Sequence, residues 1–198
     1  MTEFISSPGT GEIYSDADPA VFLRPISLQD DAQRYFDLID HDRAHFYPWA
    51  RETPIKYQTV KDVEARFAQL EPNEHYFGIW DREINEIVGS THLVVGDLKN
   101  KPPNDDPTSA EIGSWIGGEF ARHHYAARAK QLVFYFAFQQ LGLKRVFADI
   151  INGNDRSVKS ARLAGMSFEG VKASGTYLTY AITREQWEEK QRRGGIEV

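Results

Sequence analysis

Apolar and polar positions change period several times along the chain, and each change marks an element. From Val21 a short β-type run, VFLRPI, leads into Ser27, whose hydroxyl is placed to cap a helix with Asp30 at the third position; Leu28, Ala32, Tyr35, Phe36 and Ile39 then recur at helical spacing. Thr59 and Asp62 repeat that capping signature ahead of Val60, Val63, Phe67 and Leu70, and Pro72 with Asn73 ends the run. Between these two helices lies an aromatic loop, HDRAHFYPWARETP. The period then shortens. HYFGIW and IVGSTHLVV, joined by a polar turn containing Asp81 and Asn85, predict an antiparallel hairpin, and AEIGSWIG predicts a further strand beyond the Pro- and Asp-rich loop DLKNKPPNDDPTS.

The apolar stretch from Ala129 through Phe138, ended by Gly142, is too long and continuous for a strand and predicts a buried helix. KRVFADII predicts a strand, Asn154 caps a short helix that Gly165 closes, and MSFEGVKA and TYLTYAIT predict two last strands before a polar C-terminal segment. Strands in a meander, a buried helix between two strands, then a helix and a final hairpin give an α/β (α+β) protein: a mixed sheet of about seven strands covered by helices on both faces. No repeat and no long linker interrupts this order, so residues 21–198 are expected to form a single domain, preceded by a flexible arm over residues 1–20.

Composition narrows the function. Twenty-three basic and 29 acidic residues are scattered rather than gathered into a basic stripe, which argues against a nucleic-acid partner. The absence of cysteine excludes disulfides, thiolate metal sites and cysteine nucleophiles, and suits a reducing compartment. No apolar run approaches a membrane span and residues 1–20 lack the pattern of a secretion signal, so a cytoplasmic location and no membrane partner are expected.

Two predicted helices begin directly after β segments, where unpaired N–H groups and the positive end of the helix dipole favour an anion. At the first, Arg122, Arg128 and Lys130 add positive charge where a phosphate group would lie, with a solvated basic turn as the alternative. His123 and His124 are adjacent, a spacing that does not converge on one metal ion, so no metal is expected. At the second helix, Asn154 and Ser157 are the ordinary residues of an N-cap and first turn. Alternation along AEIGSWIG sends Glu111, Gly113 and Trp115 to one face of the strand and Ile112, Ser114 and Ile116 to the other. If the Glu111 face borders a cleft, that carboxylate is a candidate general base; a solvent-facing carboxylate is the alternative, and His92 in the neighbouring strand is a rival base or a sheet histidine.

The segment from AEIGSWIG through AGMSFEG, with FLRPISLQD and HDRAHFYPW upstream, resembles the GNAT superfamily and in particular its ribosomal-protein N-terminal acetyltransferase (RimJ/RimL-like) branch. The resemblance covers about residues 21 to 187. It implies the GNAT acyl-CoA N-acyltransferase fold and an N-acetyltransferase moving an acetyl group from acetyl-CoA to a primary amine, either a peptide N-terminus or a small molecule. Carried onto this chain, it implies Glu111 as base and Ser157 as the acid for the departing thiolate. It places the cofactor on Trp115, Ile116, Arg122, His123, His124, Tyr125, Ala126, Ala127, Asn154 and Ser157. The acceptor falls near Arg43, Trp49 and His92. Dimers are common in this branch, so a homodimer is one expectation. The chain departs from the family where the usual Q/R-x-x-G-x-G/A loop is replaced by Ala121-Arg122-His123-His124-Tyr125-Ala126. A glycine there lets the backbone approach phosphate oxygens, so His124 is expected to crowd the site or redirect the loop. The alternative function is therefore a degenerate GNAT-fold protein acting by cofactor or partner binding.

Overall fold

The computed structural model describes residues 3–7, 9–47, 49–50, 52–96, 107–121 and 123–194. Among them nine strands form one mixed sheet: β1 (Phe4–Ser6), β2 (Ile13–Ser15), β3 (Asp18–Pro25), β4 (Glu74–Asp81), β5 (Glu86–Val95), β6 (Ser109–Ile116), β7 (Arg145–Ile151), β8 (Ser167–Lys172) and β9 (Tyr177–Thr183). Their spatial order is β1-β2-β3-β4-β5-β6-β7-β9-β8. Seven of them are the strands predicted from the sequence. The other two come from the leading segment expected as a flexible arm, which instead adds β1 and β2 to the edge of the sheet. Ile13 explains why: it is 2% exposed and joins the main core, an anchor too short to register as a periodic pattern.

The helices are α1 (Ala32–His41), α2 (Arg43–Phe46), α3 (Glu52–Lys56), α4 (Val60–Phe67), α5 (Tyr125–Tyr135), α6 (Asp155–Leu163) and α7 (Arg184–Arg192), with a π-helical turn at Phe136–Gln140 continuing α5. The Thr59–Asp62 capping box forms as predicted. Ser27 does accept from the N–H of Asp30, at 3.3 Å, but the regular helix begins five residues later, because Asp31 takes over the turn: its carboxylate accepts from Ser27 N at 2.8 Å and from Arg24 at 2.7 Å. The aromatic loop folds locally into α2 and α3. The polar C-terminal segment is α7, started by a capping box between Thr183 and Gln186 and pinned by a single buried residue, Trp187. One apolar residue in nine leaves too little periodicity to predict that helix.

Strand alternation divides the core in two. Val21 and Leu23 of β3, Phe77 and Ile79 of β4, Ala110 and Ile112 of β6, and Val146, Ala148 and Ile150 of β7 pack with α5 and α6 on one face. Phe22, Trp80, Ile87 and partly buried Trp115 pack with Tyr35, Leu38 and Ile39 of α1, Phe46 of α2 and Val63 of α4 on the other. No residue of β7, β8 or β9 belongs to this second core. The helices of that face therefore cover β3 to β6 and stop short of β7.

Candidate active site

The site begins where two parallel strands part. β6 and β7 are paired through only three positions, Ser109–Arg145, Ala110–Val146 and Glu111–Phe147. Beyond Glu111, β6 continues to Ile116 paired with β5 alone, and β7 continues to Ile151 paired with β9 alone. A backbone edge left without a neighbouring strand must find other partners for its N–H and C=O groups. The resulting wedge presents the β7-facing edge of Ile112 to Ile116 to an extended ligand.

Each predicted site residue has a place relative to this wedge. Glu111 is partly buried at its apex, on the same face as Trp115, as the alternation requires. The Trp115 ring does not enter the wedge; it packs edge-on against Tyr35 at 5.4 Å and Phe46 at 5.0 Å, so any ligand contact there falls to the backbone. Ile116 packs against the α5 side of the sheet. His92 lies opposite Gly113 and stacks on Tyr76 at 4.9 Å. A Cβ at position 113 would lie 2.2 Å from the imidazole, so glycine is what allows the ring to lie flat across β6. That packing favours His92 as a sheet histidine.

The loop after β6 is Gly118–Phe120, a 3-10 turn, and its Gly118 N–H donates to Asp42 between α1 and α2. Arg122 lies outside the described residues. His123 and His124 are exposed, and Ala126 is partly buried, at the start of α5. His124 adopts the left-handed conformation (φ 55°, ψ 15°) and offers no side-chain cap. This is the position where the family has glycine, and histidine is among the few non-glycine residues enriched in that region. At this residue the backbone therefore takes a conformation that glycine adopts freely.

The basic residues expected to surround this turn are used differently. Arg128 forms a bidentate pair with Asp18 of β3, with Nε 2.5 Å from Oδ2. Lys130 points inward; its Nζ donates to Ser160 Oγ at 3.0 Å and to Ala126 O at 3.3 Å, tying the first turn of α5 to α6. Burial lowers its pKa to about 8. Tyr125, expected at the cofactor, donates its hydroxyl to Asp81 Oδ2 at 2.5 Å. Burial, then the hydrogen bond to Asp81, pushes the phenol up to about 12. Burial alone would raise the Asp81 carboxyl; the donors Tyr125 O–H and the N–H groups of Glu83 and Ile84 more than offset it and hold it low. Ala127 is fully buried beneath this turn.

On the far side of the wedge, Asn154 caps α6, its Oδ1 accepting from Ser157 N at 3.2 Å. The Ser157 hydroxyl makes no hydrogen bond among the described residues. Three loops meet here. Asn152 donates through its N–H to Thr176 O at 2.9 Å and through Nδ2 to Gly175 O at 3.1 Å, joining the β7–α6 turn to the β8–β9 hairpin. Trp49, from the aromatic loop, lies 3.8 Å from where a Cβ on Gly153 would stand. Arg43, expected beside the acceptor, instead supports that loop from within: Nη1 donates to Pro54 O at 2.6 Å, Nη2 to Tyr57 O at 2.9 Å and Nε to Asp40 at 2.7 Å.

Two largely buried side chains of β7, Phe147 and Asp149, lie on the Glu111 face of the sheet. Phe147 and Asp149 alternate with Val146, Ala148 and Ile150 and so project away from the main core. Asp149 accepts from Thr179 Oγ1 at 2.7 Å and from Lys172 Nζ at 3.2 Å. An acidic residue within the apolar strand RVFADII is the same signal that marked Glu111. Among the described residues no group of three or more His, Cys, Asp or Glu side chains is placed to hold a metal ion, and no helix is long and apolar enough to cross a membrane.

A parallel pair that splays after three positions, flanked by two helix N-termini, is the architecture of an acyl-CoA-dependent acyltransferase. Residues 20–167 match the family model described as acetyltransferase (GNAT) domain, and the chain belongs to that family. It is 25% identical over 159 residues to the Probable N-acetyltransferase YjcK of Bacillus subtilis (strain 168), covering 76% of this chain and 82% of that protein. Its fold matches Mycobacterium smegmatis RimJ in complex with CoA-disulfide with a TM-score of 0.71 at 20% identity, over 98% of this chain and 94% of the other. It matches ribosomal-protein-S5-alanine acetyltransferase from Vibrio fischeri with a TM-score of 0.69 at 19% identity, over 85% and 95%.

Proposed function

We propose that this protein transfers the acetyl group of acetyl-CoA to a primary amine, with the reaction placed at the apex of the β6–β7 wedge. The observation that carries the reading is the strand separation immediately after the Glu111–Phe147 pair, which sets a carboxylate beside an unpaired backbone edge. Acetyl-CoA supplies an activated acyl group as a thioester. The chain holds it by N–H groups of the α5 first turn from His124 to Ala126, the Ala127 N–H being donated to His124 O at 2.9 Å, by the β6 edge from Ile112 to Ile116, and by the amide nitrogen of Asn154. The left-handed backbone at His124 supports cofactor binding and disfavours a degenerate, non-catalytic reading.

An alkylammonium must lose a proton before its nitrogen attacks the acyl carbon, and Glu111 accepts that proton directly or through water. A β6 N–H near Trp115 or Ile116 donates to the acyl oxygen as negative charge gathers on it. As the carbon–sulfur bond breaks, the Ser157 hydroxyl gives the leaving sulfur a proton and recovers, through water, the second proton that the attacking nitrogen sheds as it becomes an amide. Trp49 walls the acceptor entrance over the β7–α6 turn, and Arg43 acts through the loop it braces. The relatives named for ribosomal proteins favour a peptide N-terminal amine, and a small amine is the second acceptor class to be tested.

Calorimetric titration with acetyl-CoA, followed by thiol release on a panel of amines, tests this. Micromolar binding with amine-dependent release is expected. Tight binding with no release on any amine would return the protein to a binding role.

A further inference from the structure

Beside the wedge, on the face that the second core leaves uncovered, the chain holds one of its own ammonium groups. Lys172 Nζ lies 3.2 Å from Asp149 Oδ2 and 5.1 Å from the centre of the Phe147 ring. An aromatic face and a carboxylate converging on one cation make a recognition site for an ammonium group. The two partners of this ion pair are unequally committed. The Asp149 side chain is 7% exposed and oriented by Thr179 Oγ1, whereas that of Lys172 is 52% exposed. The lysine end of the pair is solvated, so it is the partner that a competing cation replaces at the fixed carboxylate. Lys172 also borders the turn Ala173–Gly175, where Ala173 and Ser174 both hold left-handed backbone (φ 50° and 53°), a conformation that non-glycine residues adopt only under constraint.

The position of this cation matters as much as its chemistry. Phe147 is the register partner of Glu111, and Asp149 is two residues further along the same face of β7. With strands about 4.8 Å apart and a rise of about 3.3 Å per residue, an unsplayed pair would put the Cα atoms of Glu111 and Asp149 about 8 Å apart, and the divergence of β7 beyond Phe147 adds to that distance. On the same face Arg145 stacks on Phe147 at 4.8 Å and is paired with Glu169. An acceptor whose reacting amine sits at Glu111 therefore brings the next part of its chain to Asp149.

We propose that Phe147 and Asp149 form a receptor for a second cationic group of the acceptor, that Lys172 fills this receptor until the acceptor displaces it, and that the acceptor is accordingly a diamine or polyamine. This rests on the reading of the protein as an amine acetyltransferase. The second charge sets the distance and direction of the amine presented to Glu111, and Lys172 sets a threshold that a monoamine gains nothing by crossing.

The test uses cadaverine and its monoamine counterpart pentylamine on the full chain, by calorimetry and by thiol release in the presence of acetyl-CoA. Lys172→Ala is expected to raise the ratio of cadaverine to pentylamine affinity, and the corresponding ratio of kcat/KM, at least about tenfold, one decade being about 1.4 kcal/mol. Adding Asp149→Asn is expected to abolish that gain. Phe147→Leu, which keeps the strand apolar, is expected to reduce it severalfold and serves where the Asp149 variant does not fold. An unchanged ratio in Lys172→Ala, or a gain that survives Asp149→Asn, overturns the receptor. Absence of thiol release on either amine, with the binding ratio still shifted by Lys172→Ala, overturns the acetyltransferase reading and leaves the receptor standing.

Discussion

Glu111 faces Phe147 across the last paired position of β6 and β7, and from that pair the two parallel strands diverge. A carboxylate is thereby placed where β6 and β7 part. The strands above it are held by the β5 ladder and the β9 ladder, so the opening is built into the fold and requires no ligand to create it.

Glu111→Gln removes the proposed base while keeping the shape of the side chain. Turnover should fall by about 10²–10⁴-fold, with acetyl-CoA affinity retained. Steady-state thiol release with a fixed amine measures this, and undiminished turnover would take Glu111 out of the mechanism.

At His124 the left-handed backbone carries a cost of roughly 1–2 kcal/mol, which glycine avoids at the expense of greater chain entropy when unfolded. His124→Gly is therefore expected to stabilise the protein by about 0.5–1 kcal/mol in urea denaturation. Because the wild-type backbone already follows the glycine-like path, acetyl-CoA affinity should stay within a few-fold. Tightening by ten-fold or more would mean that the imidazole crowds the phosphates.

Lys130 links stability to pH. Its folded pKa of about 8 lies below the ordinary 10.5, because burial disfavours the ammonium. Below pH 8 both folded and unfolded chains carry the proton and the contribution is flat. Between 8 and 10.5 the unfolded chain binds more protons, so stability should rise with pH. Tyr125 opposes this above pH 10, since its phenol, pushed up to about 12, keeps its proton longer when folded. The difference between wild type and Lys130→Met isolates the lysine: the variant should lose the rise between about pH 8 and 10 and gain roughly 1–3 kcal/mol at pH 7. Equal pH profiles for the two proteins would show that Lys130 titrates normally.

Tyr125→Phe deletes the donor to Asp81, a buried carboxylate that is 7% exposed. A loss of about 1.5–3 kcal/mol is expected, the cost of a hydrogen bond to a charged group. Thermal melts at neutral pH and at a pH low enough to protonate Asp81, whose carboxyl is held below its ordinary 3.8, distinguish the cause: protonation should shrink the difference between variant and wild type, and a difference that persists would assign it to packing.

Much of this was legible in the chain. Seven strands, the capping box at Thr59, the polar turn at Asn85 and the Asn154 cap all rest on local chemistry that the backbone cannot avoid. The alternation that sends Glu111 and Trp115 to one face and Ile112 to the other is equally local. What failed was the reading of single anchors. Ile13 fastens a strand of only three residues and Trp187 a helix whose other residues are polar, and elements so short or so sparsely apolar show no period. The charges of Arg128 and Lys130 were likewise placed by type, yet Asp18, 110 residues away, claims one and Ser160, 30 residues away, the other.

The sequence by itself determined the elements, their order and the identity of the carboxylate available for catalysis, since hydrophobic period, capping and turn residues act over a few positions. Only the tertiary structure decided where the sheet opens, which cations are spent on internal partners and which aromatic and acidic side chains meet beside Glu111. Those outcomes depend on strand register and on contacts between segments far apart in the chain, and neither leaves a mark in any local pattern.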